Sequence, residues 1–309
     1  MGDYRVQVKR HVGPADIAEV TDLLGAAYAV DGHRPLGEHK WLDLVHGGRL
    51  GFAGLLAHEV DDAELVGYGQ LTGGDGSWGL EIVVHAAHRG FSEHIGRALL
   101  VAALEEVGHQ GGGHVHYWIA RPTPEQDADA QSLGFRPERE LLQLRVRLPL
   151  DTEGSGPGPE VRPFVPGADE EAWLAVNNRA FAGHHEQGNW TLATLLEREE
   201  EPWFDPEGFL VLWEGDRLCG SCWTKVHTDA DPAMGEIFVI SVDPEFHHRG
   251  LGRALTLAGL DWLARRGLAV GMLYVDESND SAVRLYRSLG FGVDHRDRAY
   301  LVDVAPTNT

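Results

Sequence analysis

Cysteine is almost missing from this chain of 309 residues, which holds only Cys219 and Cys222. One close pair cannot lay down a disulfide framework, and such scarcity suits a reducing compartment. Long apolar runs are missing too: none approaches the roughly 18 residues of a membrane span. Met1–His11 lacks the basic-then-apolar layout of a secretory leader, so a cytoplasmic address and no membrane partner are expected. Positive charge is scarce, with 26 Lys and Arg against 48 Asp and Glu and a net charge of −22. A surface so acidic repels phosphate backbones, and no basic stripe with interleaved aromatics offsets it, which excludes nucleic acid as a partner.

What is present is enough chain for two cores, since domains commonly run to about 100–150 residues. The 43% hydrophobic content is that of a globular protein. The sharpest composition shift is Asp151-Thr-Glu-Gly-Ser-Gly-Pro-Gly-Pro-Glu160, Gly, Pro, Ser and acids without apolar period. It reads as a linker, 151–160, between domains at 1–150 and 161–309. On either side the same order of elements is expected: a strand, a helical region, a meander, a Gly-containing turn into a helix, a strand, a short helix and a closing strand. Identical strings support a duplication. Gly96-Arg-Ala-Leu99 recurs as Gly252-Arg-Ala-Leu255 and Ser132-Leu-Gly-Phe135 as Ser288-Leu-Gly-Phe291, both 156 residues on (96 to 252, 134 to 290).

The most informative segment lies between the strand-like Gly235–Asp243 and a helical run from Gly250, where Leu251, Leu255, Ala258, Leu260 and Leu263 recur at helical spacing. Between them stands His247-His248-Arg249-Gly250-Leu251-Gly252. A helix N-terminus offers unpaired N–H groups and a positive dipole end, and glycines let a large anion approach the backbone, so this turn suits a pyrophosphate. It is neither a Walker loop, for want of the Lys-Ser/Thr ending, nor the three-glycine dinucleotide fingerprint.

The turn, the preceding Val242-Asp243-Pro244, and the following Asn279 and Ala282–Phe291 together resemble the GNAT acetyltransferases, whose motif A is Arg/Gln-x-x-Gly-x-Gly/Ala. The likeness spans most of 161–303 and departs at the first motif position, His247, which is expected to serve through its backbone. It implies two mixed α/β domains, each a mostly antiparallel sheet flanked by helices, and acetyl-CoA as cosubstrate without metal. By the same resemblance Ile240, Ser241 and Val242 line the thioester arm. His247, His248, Arg249, Gly250, Leu251, Gly252 and Arg253 hold the pyrophosphate, with Asn279, Ser281 and Arg284 adding cofactor contacts. The attacking amine must lose a proton and the leaving thiolate gain one. Glu236 on the fourth strand fits the base and Tyr286 the acid. No nucleophile constellation suggests an acyl-enzyme.

Phe181-Ala-Gly-His-His-Glu-Gln-Gly-Asn-Trp190, Trp203-Phe-Asp-Pro206 and Trp223-Thr-Lys-Val-His227 resemble the tandem mycothiol synthase family, which acetylates the cysteinyl amine of cysteinyl-glucosaminyl-inositol. That likeness implies substrate contacts at Glu38, Glu186, Lys225, Glu236 and Tyr274, and a monomer is expected. The first domain is expected to be non-catalytic, with at most a vestigial pocket at Ile82, Val83 and Val84. Position 130, in register with Tyr286, is alanine; aligning His85 with Asp243 sets Trp78 against Glu236, with Glu81 on the opposite face; and the turn Arg89–Gly96 is two residues longer and carries Glu93.

Other functions were weighed. Cys219-Gly-Ser-Cys222 has redox spacing, but it runs into a strand, where residues three apart face opposite sides. Zinc would need four ligands at compatible spacing, and His184, His185, His247 and His248 do not supply a second close pair of cysteines. A non-catalytic CoA-binding sensor is the alternative from another class, and acetyl transfer to another small amine remains the alternative within this one.

Overall fold

The computed structural model describes residues 4–46, 51–61, 63–74, 76–151, 158–182, 188–228 and 232–307, and for residues 90–94 the backbone alone. The first half lays out β1 (Tyr4–Lys9), α1 (Pro14–Asp31), α2 (Glu38–Val45), β2 (Ala53–Glu59), β3 (Leu65–Gly74), β4 (Ser77–Val84), α3 (Ser92–His109), β5 (Gly113–Ala120), α4 (Pro124–Ser132) and β6 (Arg136–Arg147). The second half repeats that order with β7 (Arg162–Pro163), α5 (Glu170–Ala180), α6 (Leu192–Glu199), β8 (Phe209–Glu214), β9 (Arg217–His227), β10 (Met234–Val242), α7 (Leu251–Arg265), β11 (Val270–Asp276), α8 (Asp280–Ser288) and β12 (Gly292–Val304).

Packing sorts these elements into two compact units that are not the two halves. One comprises Met1–Leu141, Asp276–Ser278 and His295–Thr309, the other Leu142–Val275 and Asn279–Asp294. The sheet of the first unit runs β1-β2-β3-β4-β5-β12, so its sixth strand comes from the end of the chain, Asp297–Val304 pairing antiparallel with Ala120–Gly113. The second unit runs β6-β11-β10-β9-β8-β7, and Leu142–Arg147 supply its β6. Each half therefore gives its closing strand to the unit built from the other half.

Each unit contains a parallel strand pair, β4 with β5 and β10 with β11. Parallel neighbours need a crossover, which α3 and α7 supply. Helix α7 buries Leu251, Leu255, Leu260, Trp262 and Leu263 against β9 and β10. It comes so close at Gly259 that a Cβ there would stand 2.5 Å from Cys222 Sγ. On the other face α5 covers an aromatic layer in which Trp223 is fully buried, stacked on Phe209 with centroids 4.4 Å apart and edge-on to Trp173.

The repeat persists down to single caps and hydrogen bonds. Thr123 accepts from the Gln126 N–H to start α4, and Asn279, 156 residues later, accepts from the Ala282 N–H to start α8. Both helices end alike, with Phe135 N–H donating to Ala130 O and Phe291 N–H to Tyr286 O. Alternation misleads for the cysteines, however. The β8–β9 register shifts between Leu212 and Trp213, leaving Cys219 in a bulge, and both thiols join one core cluster instead of opposite faces.

Candidate active site

The second unit opens between its two parallel strands. Pairing of β10 with β11 runs only from Gly235–Gly271 to Ile237–Leu273, and the β9–β10 register shifts between Ile237 and Val239. That bulge at Phe238 bends β10 away, so Ile240, Ser241 and Val242 present backbone that β11 does not pair. Ile240 packs on the α7 side. The Ser241 side chain turns the other way, 3.1 Å from Ser221 Oγ, which accepts from Trp173 Nε1.

At the end of β10 the chain turns into α7. His248 and the helix-capping Gly250 take positive φ, 61° and 74°. A Cβ on Gly250 would meet nothing within 4 Å, and one on Gly252 only Leu285 at 3.7 Å, so room for a large anion lies above the first-turn N–H groups. His247, His248, Arg249 and Arg253 are exposed there. Arg249 pairs with Glu214, and Arg253 donates to Ser288 Oγ at 3.3 Å. His247 does more than lend backbone: its Nε2 lies 3.1 Å from Val242 O, as Arg89 Nε lies 3.2 Å from Val84 O in the first unit. A ring nitrogen thus holds the strand end that a guanidinium holds in the other copy. Of the further cofactor residues, Asn279 caps α8 and accepts from Ser281 Oγ at 3.0 Å, while Arg284 is 73% exposed beside Asp280.

Glu236 is 7% exposed on β10, in register with Lys225 on β9 and Met272 on β11. Residues in register share a face, so Lys225, Glu236 and, two residues beyond Met272, Tyr274 line the sheet face opposite α7. Its Oε2 lies 2.7 Å from His227 Nε2. The Lys225 ammonium sits 4.2 Å from the centre of the Trp203 ring and 5.3 Å from that of Phe238. Tyr274 is 40% exposed and accepts a 2.7 Å bond from Gln143. Tyr286 belongs to the opposite face, buried in the α7–α8 core against Phe291. Burial, with the neighbouring Cys222 adding to it, pushes the Tyr286 hydroxyl up, so it stays protonated across the neutral range. The two residues expected from sequence to act as base and acid thus lie on opposite faces of the sheet. Of the substrate contacts implied by sequence, Glu38 is the first residue of α2 in the first unit, and Glu186, like His184 and His185, lies outside the described residues.

Two partners escaped the sequence. His227 could have been found by alternation, two residues after Lys225 on the same strand. Arg179 could not, because it ends a helix 64 residues before the Asp243 it reaches at 2.5 Å. Asp243 is 1% exposed and also accepts from Glu245 N–H. Burial alone would raise its carboxyl, but Arg179 and that N–H hold it below the ordinary range.

The first unit has a different interior. Its β3–β4 register carries no shift, so Leu80 matches Ile237, each pairing across the parallel strand at positions 156 apart (Tyr117 and Leu273). Gly79, and not Trp78, then stands where Glu236 stands; the bulge at Phe238 adds the residue that misaligned them. Glu81, two residues on, shares that face instead of opposing it, and accepts from Gly37 N–H at 2.7 Å. The place of a Gly79 side chain is taken by the buried Lys40 ammonium, 3.1 Å from the ideal Cβ, which donates to Gly79 O at 2.7 Å and to Thr72. Ile82, Val83 and Val84 lie beyond the last paired residues, Glu81 and Trp118. The Glu93 side chain is not among those described.

Residues 172–291 match the model of the GNAT acetyltransferase family. A mycothiol acetyltransferase of Geodermatophilus obscurus is 46% identical over 90% of this chain and 91% of its own, and one of Acidimicrobium ferrooxidans 43% identical over 90% and 91%. The chain belongs to the mycothiol acetyltransferase family. A tandem GNAT protein from the clavulanic acid pathway superposes with a TM-score of 0.72 at 18% identity, covering 98% of this chain and all of its own, which shows the shared fold. The chain is therefore a tandem GNAT-fold N-acetyltransferase that uses acetyl-CoA. Among the described residues no group of three His, Cys, Asp or Glu stands ready for a metal, and no helix is long and apolar enough to cross a membrane.

Proposed function

We propose that this enzyme acetylates the cysteinyl amine of cysteinyl-glucosaminyl-inositol, the last step of mycothiol biosynthesis, in the cytoplasm where its donor is made. Catalysis belongs to the half at 161–309, while the half at 1–150 performs no transfer. The names of the relatives suggest the substrate; the observation that carries the chemistry is a buried Glu236 on the strand that parts from β11, with a buried Tyr286 in the core on its other face.

Acetyl-CoA supplies the acyl group and a thiolate leaving group. Unpaired backbone of Ile240–Val242 suits its arm, and the N–H groups and arginines at 247–253 suit its phosphates. An amine enters as ammonium and has no lone pair until Glu236 takes a proton from it. Tyr286, kept neutral by burial, gives its proton to the departing sulfur. Lys225 and Tyr274, on the Glu236 face, are suited to the hydroxyls of a polyol. The test is to supply acetyl-CoA with cysteinyl-glucosaminyl-inositol and, separately, with the glucosaminyl-inositol lacking cysteine. Acetylation of the first alone supports the reading; acetylation of the second alone overturns it.

A further inference from the structure

We propose that His227 is a positioning residue for the base: it donates its Nε2–H to Glu236 Oε2 and so aims Oε1 at the incoming amine. The proposal rests on Glu236 as base. A carboxylate has two equivalent oxygens and a soft torsion at its terminal bond, so a buried Glu is a more effective base where a hydrogen bond to one oxygen holds the other towards the substrate.

His227 occupies the right place to do so. It ends β9 two residues after Lys225, and alternation returns it to the face shared by Lys225 and Glu236. The side chains are 16% and 10% exposed, and the 2.7 Å separation is that of a strong hydrogen bond to a charged acceptor. A carboxylate can only accept, which assigns a hydrogen to Nε2. Among the described residues Oε1 meets no donor, whereas Oε2 is taken by His227. Lys225, directly opposite Glu236 in register, has its ammonium over the Trp203 and Phe238 rings. Position 79 of the first unit, where the base would stand, is glycine. The position that matches His227, two residues beyond Gly79's strand neighbour Thr72, is Gly74, so the histidine arrangement belongs to the unit with the carboxylate.

The experiment compares kcat, both KM values and thermal midpoints for the full chain carrying H227L, H227Q, E236Q or E236Q with H227L, with acetyl-CoA and cysteinyl-glucosaminyl-inositol. H227L should lower kcat about tenfold to a hundredfold while the KM for acetyl-CoA stays within about twofold. H227Q, whose amide N–H reaches the same oxygen, should return kcat to within about threefold of the parent. On the E236Q background H227L should cost nothing more, because a residue acting through Glu236 has nothing left to act on. The proposal is overturned by a kcat for H227L within twofold of the parent, by H227Q as slow as H227L, or by a further large loss in the double variant. Parent-like turnover in E236Q would instead sink the base assignment itself, whatever His227 does.

Discussion

Glu236, Tyr286 and Glu199 are three buried or half-buried ionisable side chains whose surroundings set different tasks. Replacing Glu236 by Gln removes the proposed base and keeps the shape; replacing Tyr286 by Phe removes the proposed proton donor from a site that stays packed. Each should lower kcat by about 10²-fold or more, with acetyl-CoA affinity nearly unchanged in equilibrium binding. Unaltered turnover in either variant would take that residue out of the mechanism. Glu199 has no such task. Burial first, and the Glu170 charge second, push its carboxyl up to about 7, and its Oε1 is buried without a hydrogen-bond partner. The folded state then binds a proton that the unfolded chain releases near pH 4.5, so the group's contribution to stability is intact below that pH and is lost as pH rises through about 7. Glu199→Gln should therefore stabilise the fold at pH 8, by on the order of 1 kcal/mol after discounting for solvent screening of a partly exposed group, raising the unfolding midpoint there and changing it little at pH 4.5. Equal shifts at both pH values would refute the charge-based account.

At the scale of elements, the turn after β10 is held from the side by α5. Arg179 reaches across to Asp243, which in turn caps the Glu245 N–H that begins the turn. Arg179→Ala should raise the KM for acetyl-CoA by roughly threefold to tenfold and leave kcat nearly alone, because it loosens the turn proposed to seat the phosphates without touching the proposed acid or base. A loss confined to kcat would contradict this. The turn into α7 was readable from residues, since Gly250 and Gly252 stand at the start of a helical run, and Tyr286 against Ala130 was readable from a constant spacing. Gly79 against Glu236 was not, because a bulge adds a residue without a sequence signature of its own, and every strand position before it slips by one. The same limit hid the common side of Cys219 and Cys222. Both are buried with raised thiol pKa values, that of Cys222 pushed up to about 12, the reverse of what a redox pair needs.

At the scale of the molecule, periodicity tells which residues form a strand but not which strand lies beside it. The linker at 151–160 looked like a boundary between two self-sufficient domains, yet each compact unit contains a strand from beyond it. Cutting the chain there should give two fragments that each lack an interior neighbour: residues 1–150 without the partner of β5, and 161–309 without that of β11. Neither should show a cooperative unfolding transition alone, and mixing them should restore one along with acetyl transfer. A cooperatively folded 1–150 fragment would refute the prediction. The aromatic layer makes a similar demand within the second unit, where Trp223→Ala should cost about 3–5 kcal/mol and disable the enzyme through unfolding, not chemistry.

Strand β5 meets its partner only at residues 297–304. On a ribosome that emits the chain from its N-terminus, the first half is complete in sequence long before it can close. Its edge of unpaired N–H and C=O groups stays open until residues 297–304 have been made, and contacts so distant in sequence form slowly. Topology alone would then keep a first half that, as proposed, performs no transfer: deleting it would strip the second unit of β6, and removing residues 297–304 would take away the partner of β5.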